Sequence, residues 1–194
     1  MFKKKNLLVI LILSTLFFGI ITVNIEAANR TINVPMYYQE HSNWCWDANS
    51  QMIIYYYNGW APSQCTIANW AWGRSDCCYS SSFYWNHPCN SGNYIFGSTG
   101  IQGILSNWGV NSYGGYYYIS QARIVSEINN YRPFVIGVTW TSGGGHVMVG
   151  RGYWYDAYYV YYNDPWPGEG PTWATYNWLV SSYDHRWDAT LMTY

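Results

Sequence analysis

Beyond residue 5 this 194-residue chain contains no lysine, and charged residues of all kinds make up only 10% of it. From Ala28 onward six arginines (30, 74, 123, 132, 151 and 186) face nine aspartates and glutamates, a formal charge of about −3. No Lys/Arg-rich stretch exists to neutralise a run of phosphates, so nucleic acid is excluded as an expected partner. Histidine is scarce as well: there are four, with no His-x-x-x-His or comparable spacing. A metal-dependent hydrolase therefore has no ligand set, and no metal or organic cofactor is implied.

The one long apolar run lies at the start. Met1-Phe2-Lys3-Lys4-Lys5 precedes a charge-free stretch over 7–23, and the small residues Ala27 and Ala28 follow. A basic start, an apolar middle and a small-residue exit make residues 1–27 a secretory signal peptide. At 17 residues the run is long for that purpose. An uncleaved membrane anchor is the alternative, since about 20 residues span a bilayer. Either way the rest of the chain is delivered outside the cytoplasm. The sequence predicts a secreted, extracellular monomer with no membrane contact after signal cleavage. Residues 28–194 suffice for one compact domain and not for two.

Aromatic residues are abundant, with 22 Tyr and 13 Trp. Their apolar bodies and polar tips can cover a surface or line a groove, and composition does not choose between the two. The five cysteines form an odd set: Cys45, Cys65, Cys77, Cys78 and Cys89. Outside the cytoplasm cysteines pair. The last four cluster in a stretch rich in Asn, Ser, Gly and Pro, while Cys45 stands apart, which leaves it as the free thiol. Adjacent Cys77 and Cys78 rarely bond each other because that geometry is strained. Cys65 and Cys89 then each take one of them, and which takes which stays open. A four-thiolate zinc site is the rival, disfavoured by irregular spacing and an oxidising compartment.

Residues 31–38 alternate loosely and read as a leading strand, with Pro35 marking an edge. Ser42 and Asn43 stand as capping residues before the run 44–57. There Ala48, Met52, Tyr55 and Tyr56 recur near helical spacing, and Gly59 follows as a stop. Cys45 thus falls in a helix's first turn. Short helices are predicted over 66–72 and 99–108, and another over 121–131, ended by Arg132-Pro133. Segments 134–140, 146–153, 158–163 and 187–193 read as strands. Helices first and antiparallel strands afterwards make an α+β layout of two lobes.

Chemistry concentrates at three places. A thiol becomes a nucleophile as the thiolate, which a helix N-terminus and a neighbouring imidazolium both favour. Gln39, six residues before Cys45, could donate to an oxyanion beside the backbone N–H of Cys45. His146 follows three glycines at the mouth of an apolar strand. His41, His87 and His185 lie in polar or loop contexts and read as surface residues. Asp164 ends a strand 18 residues past His146, a separation that adjacent antiparallel strands can close. A carboxylate there would fix the imidazole tautomer.

Gln39, Asn43-Trp44-Cys45-Trp46, Gly144-Gly145-His146 and Asn163-Asp164-Pro165-Trp166 together resemble the papain-like cysteine peptidases. The nearest branch is that of the secreted bacterial and type III effector cysteine proteases, with further similarity to the double-glycine leader peptidases. The resemblance implies the papain-like fold, with an N-terminal helical lobe bearing the nucleophile helix and a C-terminal antiparallel sheet lobe. It implies Cys45 as nucleophile, His146 as base and acid, Asp164 as the group orienting His146, and Gln39 in the oxyanion hole. Trp166 would shield the His–Asp bond, Trp46 would lie with it at the substrate cleft, and Gly144 and Gly145 would border that cleft. The substrate would be a protein or peptide. One position departs from the family: Asp47 stands where the branch carries Ala. It suits the helix dipole, and about 200 degrees of helical rotation separate it from Cys45. A reading from another class keeps the fold and discards the chemistry: a catalytically inactive binding module or toxin with an aromatic-rich surface.

Overall fold

The computed structural model describes residues 29–79 and 82–194, so the signal peptide expected over 1–27 lies outside the described residues. The segment after Trp44 forms the helix its spacing predicts, α1 (Cys45–Asn58), and Gly59 ends it. Ser42 and Asn43 do not cap it; Trp44 is the N-cap and makes no side-chain cap bond. Both polar side chains turn instead to Asn90. Its Nδ2 donates to Ser42 Oγ at 2.9 Å, and its carbonyl accepts from Asn43 Nδ2 at 2.7 Å. Helix α2 (Gln64–Trp72) starts at Ser63, whose hydroxyl accepts from the Thr66 N–H. Helix α3 (Ile101–Asn107) buries Ile101, Ile104 and Leu105 on one face.

Between α2 and α3 no helix or strand forms among the described residues. Two disulfides hold this insert: Cys65–Cys78 staples it to α2, and Cys77–Cys89 closes a loop within it. Each cross-link of such length stabilises by about 3 kcal/mol in the chain-entropy account. The four sulfurs are thereby consumed, which removes the thiolate zinc site, and Cys45 is left free.

The second lobe is an antiparallel sheet. Its strands are β2 (Ser112–Gly115), β3 (Phe134–Trp140), β4 (Gly145–Trp154), β5 (Tyr159–Asp164), β6 (Gly170–Thr175) and β7 (His185–Thr193). They stand in the order β2-β7-β3-β4-β5-β6, and the short β1 (Asn29–Thr31) pairs with the far end of β4. Helix α4 (Gln121–Asn129) packs against β4, and α5 (Tyr176–Val180) precedes β7. The expected strand over 31–38 does not form; β1 lies earlier and shares only Thr31 with it. Beyond Thr31 side chains bond three of the carbonyls that a ladder would have paired. Asn163 Nδ2 donates to Val34 O and Pro35 O, each at 3.2 Å, and Gln64 Nε2 donates to Tyr38 O at 2.8 Å.

One apolar core joins the lobes, with Trp44, Ile53 and Leu105 on the helical side continuous with Phe134, Val149 and Trp187 on the sheet. Each such side chain stabilises by about 1.5–3 kcal/mol when fully buried. This packing seats the start of α1 against the start of β4.

Candidate active site

Cys45 is the first residue of α1, half-buried, with a free thiol. A first-turn N–H has no acceptor within its own helix and is available to an incoming anion. Asn49, one turn further on, donates from Nδ2 to Cys45 O and to Val147 O, both at 2.8 Å. One amide therefore ties Cys45 to the neighbour of His146. Asn49 was not singled out from sequence, although an Asn inside a helix is a poor helix former and points to a side-chain bond of this kind.

His146 opens β4 just past the β3–β4 turn. Gly143 and Gly144 take φ of +94° and +78° there, a region that residues with a Cβ rarely adopt. The imidazole Nε2 lies 2.7 Å from Asp164 Oδ1, with the two side chains only 10% and 15% exposed. Burial alone would push the imidazole down. Hydrogen bonds to Asp164 and to the Cys45 thiol, with the charges of both, outweigh burial and raise it from 6.5 to about 10. The ring is therefore an imidazolium at neutral pH. Asp164 ends β5, and its Oδ1 also accepts from the Trp166 N–H at 2.9 Å.

Two indoles flank His146. Trp166 stands edge-on, with ring centroids 6.5 Å apart, and Trp140 from the end of β3 lies near-parallel at 6.3 Å. Behind Trp140 sits His185, 5.8 Å away. Trp140 escaped the sequence reading because its place depends on the β3–β4 pairing. His185 and His41, read as surface residues, are buried. His185 lies against Trp178 and Trp140, and His41 against Trp44 and Phe83.

Gln39 is buried beside the site, its backbone N–H bonded to Pro165 O at 2.8 Å. Its Nε2 donates to His41 O and Ser42 O at 2.9 Å each, so both amide hydrogens hold the turn that leads into α1. Gln64 of α2 fixes the same stretch from outside, accepting from the Glu40 N–H at 2.9 Å.

Trp46 does not reach a cleft. It is 1% exposed, donates to Ser91 O and packs edge-on against Trp72. Helical geometry turns it into the core when Cys45 faces the sheet. Asp47 is fully buried, and among the described residues neither carboxylate oxygen has a hydrogen-bond partner. Burial, and secondarily the charge of Glu40, push its carboxyl well above the usual range. Burial thus favours its neutral form and opposes the charge–dipole contact expected for the first turn.

The arrangement unites a thiol at a helix start, an imidazolium and a carboxylate from three separate elements, the components of nucleophilic acyl transfer. No curated protein matches the chain. A sequence model of the Peptidase_C39 like family matches residues 31–192. Among solved structures the fold is similar to xylellain, a cysteine protease from Xylella fastidiosa. The TM-score is 0.52 at 11% identity, covering 86% of this chain and 85% of that one. It is also similar to a protein described as a C39-like peptidase from Bacillus anthracis, with a TM-score of 0.56 at 15% identity, covering 84% and 94%. The chain belongs to the Peptidase_C39 like family and has the papain-like α+β fold of its cysteine peptidases.

Proposed function

We propose that residues 28–194 are a secreted, monomeric peptidase that cleaves peptide bonds with Cys45 as nucleophile, His146 as acid and base, and Asp164 as its orienting group. The observation that carries this reading is the placement of the His146 ring, with Nε2 2.7 Å from Asp164 Oδ1 and the Cys45 sulfur at a helix start as its other partner. The Cys45 thiolate attacks the scissile carbonyl carbon, and the oxyanion forms beside the Cys45 N–H. His146 gives its proton to the leaving amine as the C–N bond breaks, which leaves a thioester on Cys45. Neutral His146 then takes a proton from water, the hydroxide displaces the thiolate, and the carboxylic product departs with the imidazolium restored. Gln39 serves as second oxyanion donor when one of its amide hydrogens leaves His41 O or Ser42 O. Trp166 keeps water from the His–Asp bond, and the Gly144-Gly145 stretch borders the bound peptide.

The test is alkylation with iodoacetamide near pH 6, followed by peptide mass mapping. Fast labelling confined to Cys45, and at least tenfold slower in His146→Ala, is the expected result. A folded protein that resists labelling would instead be a papain-fold binding module, for which the exposed aromatic surface is the motive.

A further inference from the structure

The ends of β4 and β5 remote from His146 carry a row of aromatic rings. Trp154 pairs with Tyr159 across β4 and β5, and Tyr161 pairs with Trp173 across β5 and β6, which sets all four on one face. Ring centroids are 5.9 Å apart for Trp154 and Tyr159, and 4.3 Å for Tyr159 and Trp173. Trp154 is 39% and Trp173 53% exposed, so solvent covers what the core does not. Trp154 stands eight residues along β4 from His146, roughly 25 Å at the rise of an extended strand. The row is therefore separate from the peptidase site.

Arg151 lies beside Tyr161, at the irregularity in β4 between Gly150 and Gly152. It is half-buried, and its Nε is buried without a hydrogen-bond partner. Among the described residues no carboxylate comes within ion-pair distance of it, whereas Arg74, Arg123 and Arg132 each have one. A partly buried guanidinium is normally paired, and its planar fork matches a carboxylate.

We infer that this face is a second, non-catalytic binding site for a carboxylate-bearing polysaccharide. Sugar rings lie with their C–H faces on Trp154, Tyr159 and Trp173, and a sugar carboxylate takes the Arg151 guanidinium. The aromatic row spans about 10 Å, room for two sugar rings. It crosses the strands, whereas a peptide adding to the sheet would run along the β6 edge. Ring tips such as the Tyr hydroxyls remain to bond sugar hydroxyls. A chain of net negative charge has no general attraction for an acidic polymer, so the charge contact depends on Arg151 and weakens with salt. Such a site would hold the peptidase on an acidic polymer while the opposite end of the sheet works.

Affinity electrophoresis of the full secreted protein through polygalacturonate and through uncharged hydroxyethyl cellulose tests this. The expected result is retardation by polygalacturonate, relieved by salt, and at least tenfold weaker binding in Trp173→Ala, Trp154→Ala and Arg151→Gln. Iodoacetamide labelling of Cys45 should be unchanged in each variant, which certifies the fold and separates this result from the fate of the catalytic reading. No retardation, equal retardation by the uncharged polymer, or variants that bind like the parent would overturn the assignment.

Discussion

His146 is held charged by neighbours that the unfolded chain does not supply, and this links its protonation to stability. Its folded value of about 10 exceeds the ordinary 6.5, so the folded state binds the proton more tightly. The resulting stabilisation is fully present below pH 6.5 and fades as pH rises through about 10. NMR of ring-labelled histidine should find His146 protonated at pH 8. In Cys45→Ala the titration should move down, because one hydrogen bond and one charge are gone. An unchanged midpoint would mean that Asp164 alone sustains the imidazolium.

Asp47 has the opposite character, a carboxyl whose neutral form is imposed by burial. Its raised value means that stability is greatest below the ordinary 3.8 and falls as pH rises toward the folded value. Asp47→Ala removes a buried polar group with no partner and should stabilise the protein at pH 8 by about 1–3 kcal/mol. Urea unfolding should show that gain shrinking at pH 4. A constant or reversed difference would show that the carboxyl has a partner.

Among elements, the disulfide-tied insert braces the turn that leads into Cys45. Asn90 Oδ1 accepts from the Asn43 N–H at 3.0 Å, Cys89 O from Trp44 Nε1 at 2.6 Å, and Ser91 O from Trp46 Nε1 at 3.0 Å. These bonds orient the start of α1 without touching the thiol. Asn90→Ala, with both disulfides intact, should cost about 1 kcal/mol by removing its bonds to the half-buried Asn43 N–H and to Ser42 Oγ. It should also slow Cys45 labelling several-fold; loss of stability with an unaltered labelling rate would make the insert a fold staple alone. Near-helical spacing with a Gly59 stop makes α1 legible in the sequence, and β-branched or apolar runs bounded by Gly and Pro make β3 and β4 so. Strands β2 and β6 and helix α5 are not legible there. They are short, and β2 and β6 exist because β7 and β5 offer partners.

For the whole molecule, the proposal of export and processing has a direct readout. Expressed with its leader in a secreting host, the protein should appear in the medium with a mass starting at Ala28. It should carry two disulfides and a single titratable thiol. Retention in the membrane fraction at full mass would favour the anchor reading of residues 1–27.

Residue type and order alone established the free thiol at Cys45, the pairing of the other cysteines between their two neighbours, the antiparallel second lobe and the membership suggested by Gln39, Cys45, His146 and Asp164. Those features depend on local spacing, on parity and on the order of short motifs along the chain. Only the fold decided that Trp46, Asp47, His41 and His185 are buried, that both Gln39 amide hydrogens hold the 41–42 turn, and that Trp140 and Asn49 join the site. Burial of these side chains and the reach of Trp140 and Asn49 depend on which distant segments cover them or accept from them. The acceptors of Gln39 are only two and three residues away, but the turn that presents them is held from Pro165 and Gln64, which local spacing does not reveal.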